Sequence, residues 1–379
     1  MEHYVKFYPV GTADCTLIKL ANDKTVIVDC QFKSDLTDEK GKQIHFDVKK
    51  DLLEELGEDS YGHPMVDLFI STHPHDDHCL GFGDNFLYDK APADYDEEKD
   101  KDKIVIGELW ITPIGLKNDI SEEAANIRKE AKRRRKLYID DTSYEGEEGN
   151  YLHIIGYDGD KEYDSRYGYV SGTLVDSFNG EAAKYLELFI HAPFKDDISL
   201  SKEQNDKNAS SIVIQCAFYV QDDTNVKSRM LLGGDAEHDI WQHIIDNNEE
   251  DEKLKWNIFL APHHCSWTFF NDTSNKKDIK QSAKDIMDKQ IGDKSYVVAS
   301  SKKISGEDAD PPCIEAKKQY EKLLKDSNNF VNTAVDHLIN DVPQPIVFKI
   351  DSMGKRKEEN SNSSNQAAVS RPVPRAGKE

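Results

Sequence analysis

The chain has 379 residues, 37% hydrophobic and 32% charged, with a formal net charge of −23. That length can bury a large core in one domain or two, and no apolar run approaches the ~18 residues that would span a bilayer. So acidic a body repels polyanions unless a local basic patch or bound metal supplies attraction, which excludes a protein that grips nucleic acid by bulk charge alone.

Residues 355–379 carry six cations against three acids. This Ser/Asn/Pro-rich tail is therefore expected to be disordered, and the acidity concentrates in residues 1–354. The six cysteines stand singly, at Cys15, Cys30, Cys79, Cys216, Cys265 and Cys313. No CxxC pair or disulfide framework is present, and Met1-Glu2-His3-Tyr4 has neither the basic start nor the apolar stretch of a signal peptide. A reducing cytoplasm is the expected location.

In chain order, strands are expected at Tyr4–Pro9, Thr16–Leu20 and Thr25–Asp29, where β-branched and aromatic residues cluster between turn formers. Asp47–Glu55 has helical spacing. The apolar run Val66-Asp67-Leu68-Phe69-Ile70 reads as a buried strand that leads into a polar loop. Residues 90–103, rich in Lys, Asp and Glu, read as a surface insertion, and Glu108–Thr112 as another strand. Ser121–Tyr138 reads as a helix with Ser121 as N-cap and Glu122 and Glu123 in its first turn. Its late run Lys132-Arg133-Arg134-Arg135-Lys136 either grips phosphates or balances the helix dipole.

The second half repeats this grammar. Strands are expected at Leu186–His191, Ser211–Phe218, Arg229–Gly233, Trp256–Leu260, Ser295–Ala299 and Ile346–Ile350, with helices at Ala236–Asn247 and Cys313–Leu324. Two strand-rich halves, each covered by helices and each ending in polar loops, indicate an α/β protein built as a four-layer αββα sandwich.

The loop Ser71-Thr72-His73-Pro74-His75-Asp76-Asp77-His78 carries the clearest chemistry. His73, His75, Asp77 and His78 fall within six positions, directly after a buried strand. On an extended backbone an i, i+2 histidine pair points both imidazoles the same way. Neutral imidazoles with a carboxylate suit Zn²⁺ or another borderline divalent ion, and two such sites with a shared ligand make a hydrolytic centre. Asp29, Asp235 and His263 likewise each follow an apolar strand, where a sheet's end loops gather into a site.

These residues resemble the metallo-β-lactamase fold superfamily. His73, His75, Asp77 and His78 match its HxHxDH signature in full, Gly233-Gly234-Asp235 looks like its bridging aspartate, and His263 like its last metal histidine. Asp29 matches an early aspartate that orients the site without ligating. More narrowly, Thr72–His75, Asn208 before Ser210–Val213, Leu231–Asp235 and Pro262-His263-His264 resemble the nuclease-like domain of ComEC, the competence DNA-uptake protein. Cys265 and Cys30 stand where glycine is usual. His191 is the one candidate for a further ligand that relatives of this kind often lack.

The resemblance implies two divalent ions, Zn or Mn. His73 and His75 would hold one, Asp77, His78 and His263 the other, and Asp235 would bridge them. Asp77 would also align the nucleophile, and His264 would contact a substrate oxygen or leaving group. A metal-dependent phosphodiesterase or nuclease is the first expectation, with nucleic acid or a small phosphodiester as substrate and no membrane partner. The alternatives are a hydrolase of a small ester, thioester, lactone or cyclic nucleotide, and a metal-bearing module that acts through a protein partner. Stand-alone proteins resembling this domain occur in bacterial defence loci.

Overall fold

A computed structural model of the protein describes residues 2–117, 121–140, 143–156, 165–204, 206–220, 224–306 and 309–358. Its framework follows from short β-rich runs that are buried on both faces. Thr25–Val28 is β-branched at every position and fully buried, as a strand inside a covered sheet requires. It pairs in parallel with Pro64–Ile70, which pairs in parallel with Val105–Ile111, and that strand with Tyr151–Ile155. On the other flank, Thr16–Lys19, His3–Phe7, Ile346–Asp351 and Gly354–Lys357 continue the same sheet antiparallel.

A second sheet runs Phe330–Asn332, Tyr296–Ala299, Ile258–Leu260, Ser228–Leu232, Val213–Phe218, Leu186–Ala192 and Leu174–Val175. The first four of these are mutually parallel, and the rest are antiparallel.

Alternation along the strands sorts side chains into three large cores and one small cluster. Val26, Val28, Leu68 and Ile70 of the first sheet share one apolar cluster with Met230, Leu232, Ile258 and Leu260 of the second, so the two sheets pack face to face. The intervening residues point outward. Ile27 and Phe69 pack with Val48 and Leu52 of the helix Val48–Glu55 and with Ile127 and Ala131 of the helix Glu122–Ile139. Leu231 and Phe259 pack with Trp241 of the helix His238–Asn247, Ile286 of Gln281–Asp288 and Tyr320 of Ile314–Leu323. Each large side chain so buried contributes roughly 1.5–3 kcal/mol. Among the described residues no helix is long and apolar enough to cross a membrane.

Most expected elements lie within one to three residues of their observed bounds, and Ser121 caps its helix by accepting from the Ala124 N–H at 3.3 Å. Elements missed include Tyr151–Ile155, Leu174–Val175, the helix Lys195–Gln204, Gln281–Asp288 and Phe330–Asn332. The expected tail boundary is corrected, because Gly354–Lys357 is a paired edge strand; residues 359–379 lie outside the described residues. The basic run is corrected too. Arg134 is 1% exposed, and its guanidinium donates to the carbonyls of Ile106, Gly107 and Tyr151 and to Glu130. Arg133 donates to Glu130, Asn150 and the Gly149 carbonyl. These two cations tie the helix to its sheet and cannot also hold phosphates.

Candidate metal centre

The carboxyl ends of parallel strands from both sheets meet at one place. In the first sheet, Asp29 follows its strand in the left-handed region (φ 55°). Its carboxylate accepts from the Thr72 N–H at 2.8 Å and the Thr72 hydroxyl at 2.6 Å, and lies 2.7 Å from Nδ1 of His78. Asp29 thus gathers both ends of the loop after Ile70, where a short 3-10 turn, Asp76–His78, curls the chain back.

In the second sheet, Asp235 follows two glycines that the packing requires. A Cβ on Gly233 would stand 2.7 Å from Trp241, and one on Gly234, which has φ +48°, 3.2 Å from Ser211 and Thr72. The Asp235 N–H donates to Oγ of Ser211 at 3.2 Å, and the His263 N–H to the Gly234 carbonyl at 3.0 Å. His263, His264 and Cys265 are all left-handed, at φ 49°, 54° and 70°. For non-glycine residues this conformation costs roughly 1–2 kcal/mol each. Surrounding structure must hold it there, and the Trp241, Phe259 and Phe269 rings packed edge-to-face against one another buttress the strand that feeds the turn.

Asp235 stands at the centre, 1% exposed. Its Oδ1 lies 3.1 Å from Nε2 of His78 and 3.7 Å from Nε2 of His264. Its Oδ2 lies 3.4 Å from Nε2 of His73 and 3.6 Å from Nε2 of His263. His73 Nε2 is 3.0 Å from His75 Nδ1. His264 Nε2 is 3.2 Å from His78 Nε2 and 3.3 Å from Oδ2 of Asp77. Zn–N bonds of about 2.0–2.1 Å in a tetrahedron separate neighbouring ligand atoms by about 3.3 Å, which is the spacing found here. Asp235 Oδ1 is also a buried polar atom without a hydrogen-bond partner, an arrangement a cation would satisfy. The residues therefore fit two metal positions that share one carboxylate.

Electrostatics point the same way. Burial disfavours charge on His78, yet Asp235 and Asp29 outweigh it and hold its pKa well above the ordinary imidazole range. Burial likewise opposes charge on His264, and Asp235 and Asp14 push its pKa up to about 10. His75 has fewer carboxylates near it, so burial and then His73 take its pKa down to about 3. The carboxylates draw positive charge into the cavity, and metal ions would enter by releasing protons.

The pairing of the last two histidines departs from the sequence expectation. His264, assigned to substrate, is fully buried and joins His78 and Asp77; His263 instead faces the Asp235 oxygen that His73 approaches. The left-handed turn splays the two rings, whose centroids are 6.1 Å apart at 69°.

Asp14 was missed by sequence reasoning. It is 3% exposed, with Oδ1 3.5 Å from His264 Nδ1, and it offers a ligand atom within 4.8 Å of those of His78, His264 and Asp235. It lies on the Nδ1 side of His264, at a longer distance than Asp29 from Nδ1 of His78, on a polar turn that gives no signal in sequence. His191 lies apart, its Nε2 3.0 Å from the Lys253 carbonyl and its ring against Phe189. The side chains of Asp77 and His263 are 37% and 18% exposed, against 1% or less for His73, His78, His264 and Asp235, so the centre opens at Asp77 and His263. No family model matches the chain, and no curated protein matches it.

Proposed function

We propose that this protein is a metal-dependent hydrolase of the metallo-β-lactamase type, similar to the nuclease-like domain of ComEC, and that it cleaves phosphodiesters. One observation carries the reading: the two oxygens of a single buried aspartate, Asp235, face two separate sets of imidazoles. His73, His75 and His263 would hold one ion, Asp77, His78 and His264 the other, with Asp235 between them. Two divalent ions there, Zn or Mn, would supply an activated water and offset charge on the substrate oxygen.

The chain's own groups do the rest. Asp29 and Asp14 orient His78 and His264 so that each Nε2 faces Asp235. Asp77, the most exposed member, lies at the opening, where it can align the attacking water and accept its proton. The fixed, dry floor of His73, His78, His264 and Asp235 needs no reorganisation during the reaction.

A second reading, hydrolysis of a small ester or cyclic nucleotide, draws support from the involvement of Arg133 and Arg134 in helix–sheet contacts. The purified protein, loaded with Zn or Mn, should be assayed on single- and double-stranded DNA, RNA, cyclic nucleotides, simple esters and bis(p-nitrophenyl) phosphate. Turnover of phosphodiesters that disappears with Asp235→Asn supports the first reading. Turnover confined to esters, or none on any substrate, contradicts it.

A further inference from the structure

The two imidazoles that face Oδ2 of Asp235 each have a threonine hydroxyl at their other nitrogen. Nδ1 of His73 lies 3.1 Å from Oγ1 of Thr72, and Nδ1 of His263 lies 3.2 Å from Oγ1 of Thr268. A hydroxyl can donate or accept, so the proton's place on each ring depends on where the hydroxyl's own hydrogen goes. For Thr72 it goes to the Asp29 carboxylate at 2.6 Å, and Nδ1 of His73 must therefore donate.

For Thr268 a chain of side chains decides the same question. Ser266, 1% exposed, caps the short 3-10 turn Trp267–Phe269, and its Oγ accepts from the Thr268 N–H at 3.2 Å. Its single hydrogen goes to Oδ1 of Asp310 at 2.6 Å, because a carboxylate only accepts. That carboxylate is held in turn by the Trp267 N–H at 3.1 Å and the Lys276 ammonium at 3.0 Å. With the serine's hydrogen committed, the Thr268 hydroxyl, 3.2 Å away, donates to Ser266. It then has only lone pairs to offer His263, whose proton must sit on Nδ1. The Glu237 carboxylate, 4.0 Å from the same nitrogen, is beyond hydrogen-bonding distance. Nε2 of His263, 3.6 Å from Oδ2 of Asp235, is left with the bare lone pair that a metal takes.

We propose that Asp310, Ser266 and Thr268 are positioning residues that fix the tautomer of His263, with its lone pair toward the ion that it and His73 would hold. Partners of this kind set both the orientation and the basicity of a metal-binding imidazole. The inference rests on the metal reading for the ion, while the tautomer is tested without one.

Two measurements keep these apart. First, in metal-free protein with isotope-labelled histidine, long-range proton–nitrogen NMR spectra report which ring nitrogen is protonated, and His263→Gln identifies the His263 signals. Wild type should carry the proton on Nδ1. Thr268→Val, close to threonine in shape, should release it to Nε2 or to a mixture of the two, as should Asp310→Ala, and Thr268→Ser should return it to Nδ1. Second, Zn²⁺ is titrated in competition with a chromogenic chelator. Thr268→Val should weaken one of two ions by about 10–100-fold and leave the other as in wild type, and Thr268→Ser should restore it. A wild-type His263 protonated on Nε2 overturns the relay, and so does a Thr268→Val protein that keeps the wild-type tautomer or both wild-type affinities. If wild type binds no metal while its tautomer still depends on Thr268, the relay stands and the metal reading fails.

Discussion

Asp235 has two carboxylate oxygens, and the fold gives each its own imidazoles. Replacing it with Asn removes the shared charge and should lower the metal content, expected at about two ions per chain, to clearly less. Elemental analysis of both proteins checks this, and a wild type that takes up no transition metal even after reconstitution would contradict it. Asp14 acts one step further out. Asp14→Ala deprives His264 Nδ1 of its carboxylate and should weaken metal affinity by about 10–100-fold; competition with a chromogenic chelator measures the change. Asp77→Asn should abolish turnover while far-UV circular dichroism stays as in wild type, because Asp77 lies at the opening and not in the packed floor. Retained activity in that variant would remove Asp77 from the mechanism.

At the scale of elements, the helix Glu122–Ile139 is held to its sheet by a buried charge cluster. Glu130 is fully buried; burial alone would raise its pKa, but Arg134 and Arg133 outweigh it and hold the carboxyl below its ordinary range. A carboxyl whose folded pKa is depressed stabilises the fold above its unfolded pKa of about 4.3, and that contribution fades as pH falls through the folded value. Arg134→Ala leaves Glu130 partly uncompensated and three backbone carbonyls without their donor. It should cost about 3–5 kcal/mol at neutral pH, with the gap to wild type narrowing below about pH 4. Urea denaturation at several pH values tests both the size and the sign. A variant as stable as wild type would return Arg134 to the surface role the sequence allowed it.

Across the whole molecule, the candidate metal centre lies where the two sheets meet, so ligands that bind there would stabilise both halves together. Asp29, His73, His75, Asp77 and His78 come from the first sheet, and Asp235, His263 and His264 from the second. Free Zn at 100 times its Kd should stabilise the native state by about 2.7 kcal/mol, and Asp235→Asn should reduce or abolish that gain. Thermal unfolding against metal concentration measures it; a transition temperature indifferent to metal in wild type would argue that the cavity binds none. Chelation should also speed hydrogen exchange of the loop amides at 71–78 and 233–264 more than that of the strand Thr25–Val28.

The local code of this chain was legible in its residues alone. β-branched and apolar runs marked many of the strands, Ser121 marked a helix start, and the crowding of His73, His75, Asp77 and His78 after a buried strand marked a loop of candidate metal ligands, because strand propensity, capping and ligand spacing are properties of neighbouring residues. Short or weakly patterned elements were not legible. Phe330–Asn332 has only three residues, and Tyr151–Ile155 becomes a strand by pairing with Val105–Ile111. Which charges serve structure was also hidden. Five consecutive cations read alike in sequence, and only the approach of Ile106, Gly107 and Tyr151 decides that Arg134 faces inward. The division of His263 and His264 between the two sides of Asp235 depends on a left-handed turn held by distant packing, and the role of Asp14 on a loop far away in sequence. Sequence sets which groups can bind a metal. Which of them converge is decided by contacts between residues as far apart as Asp14 and His264, through the packing of one sheet on the other.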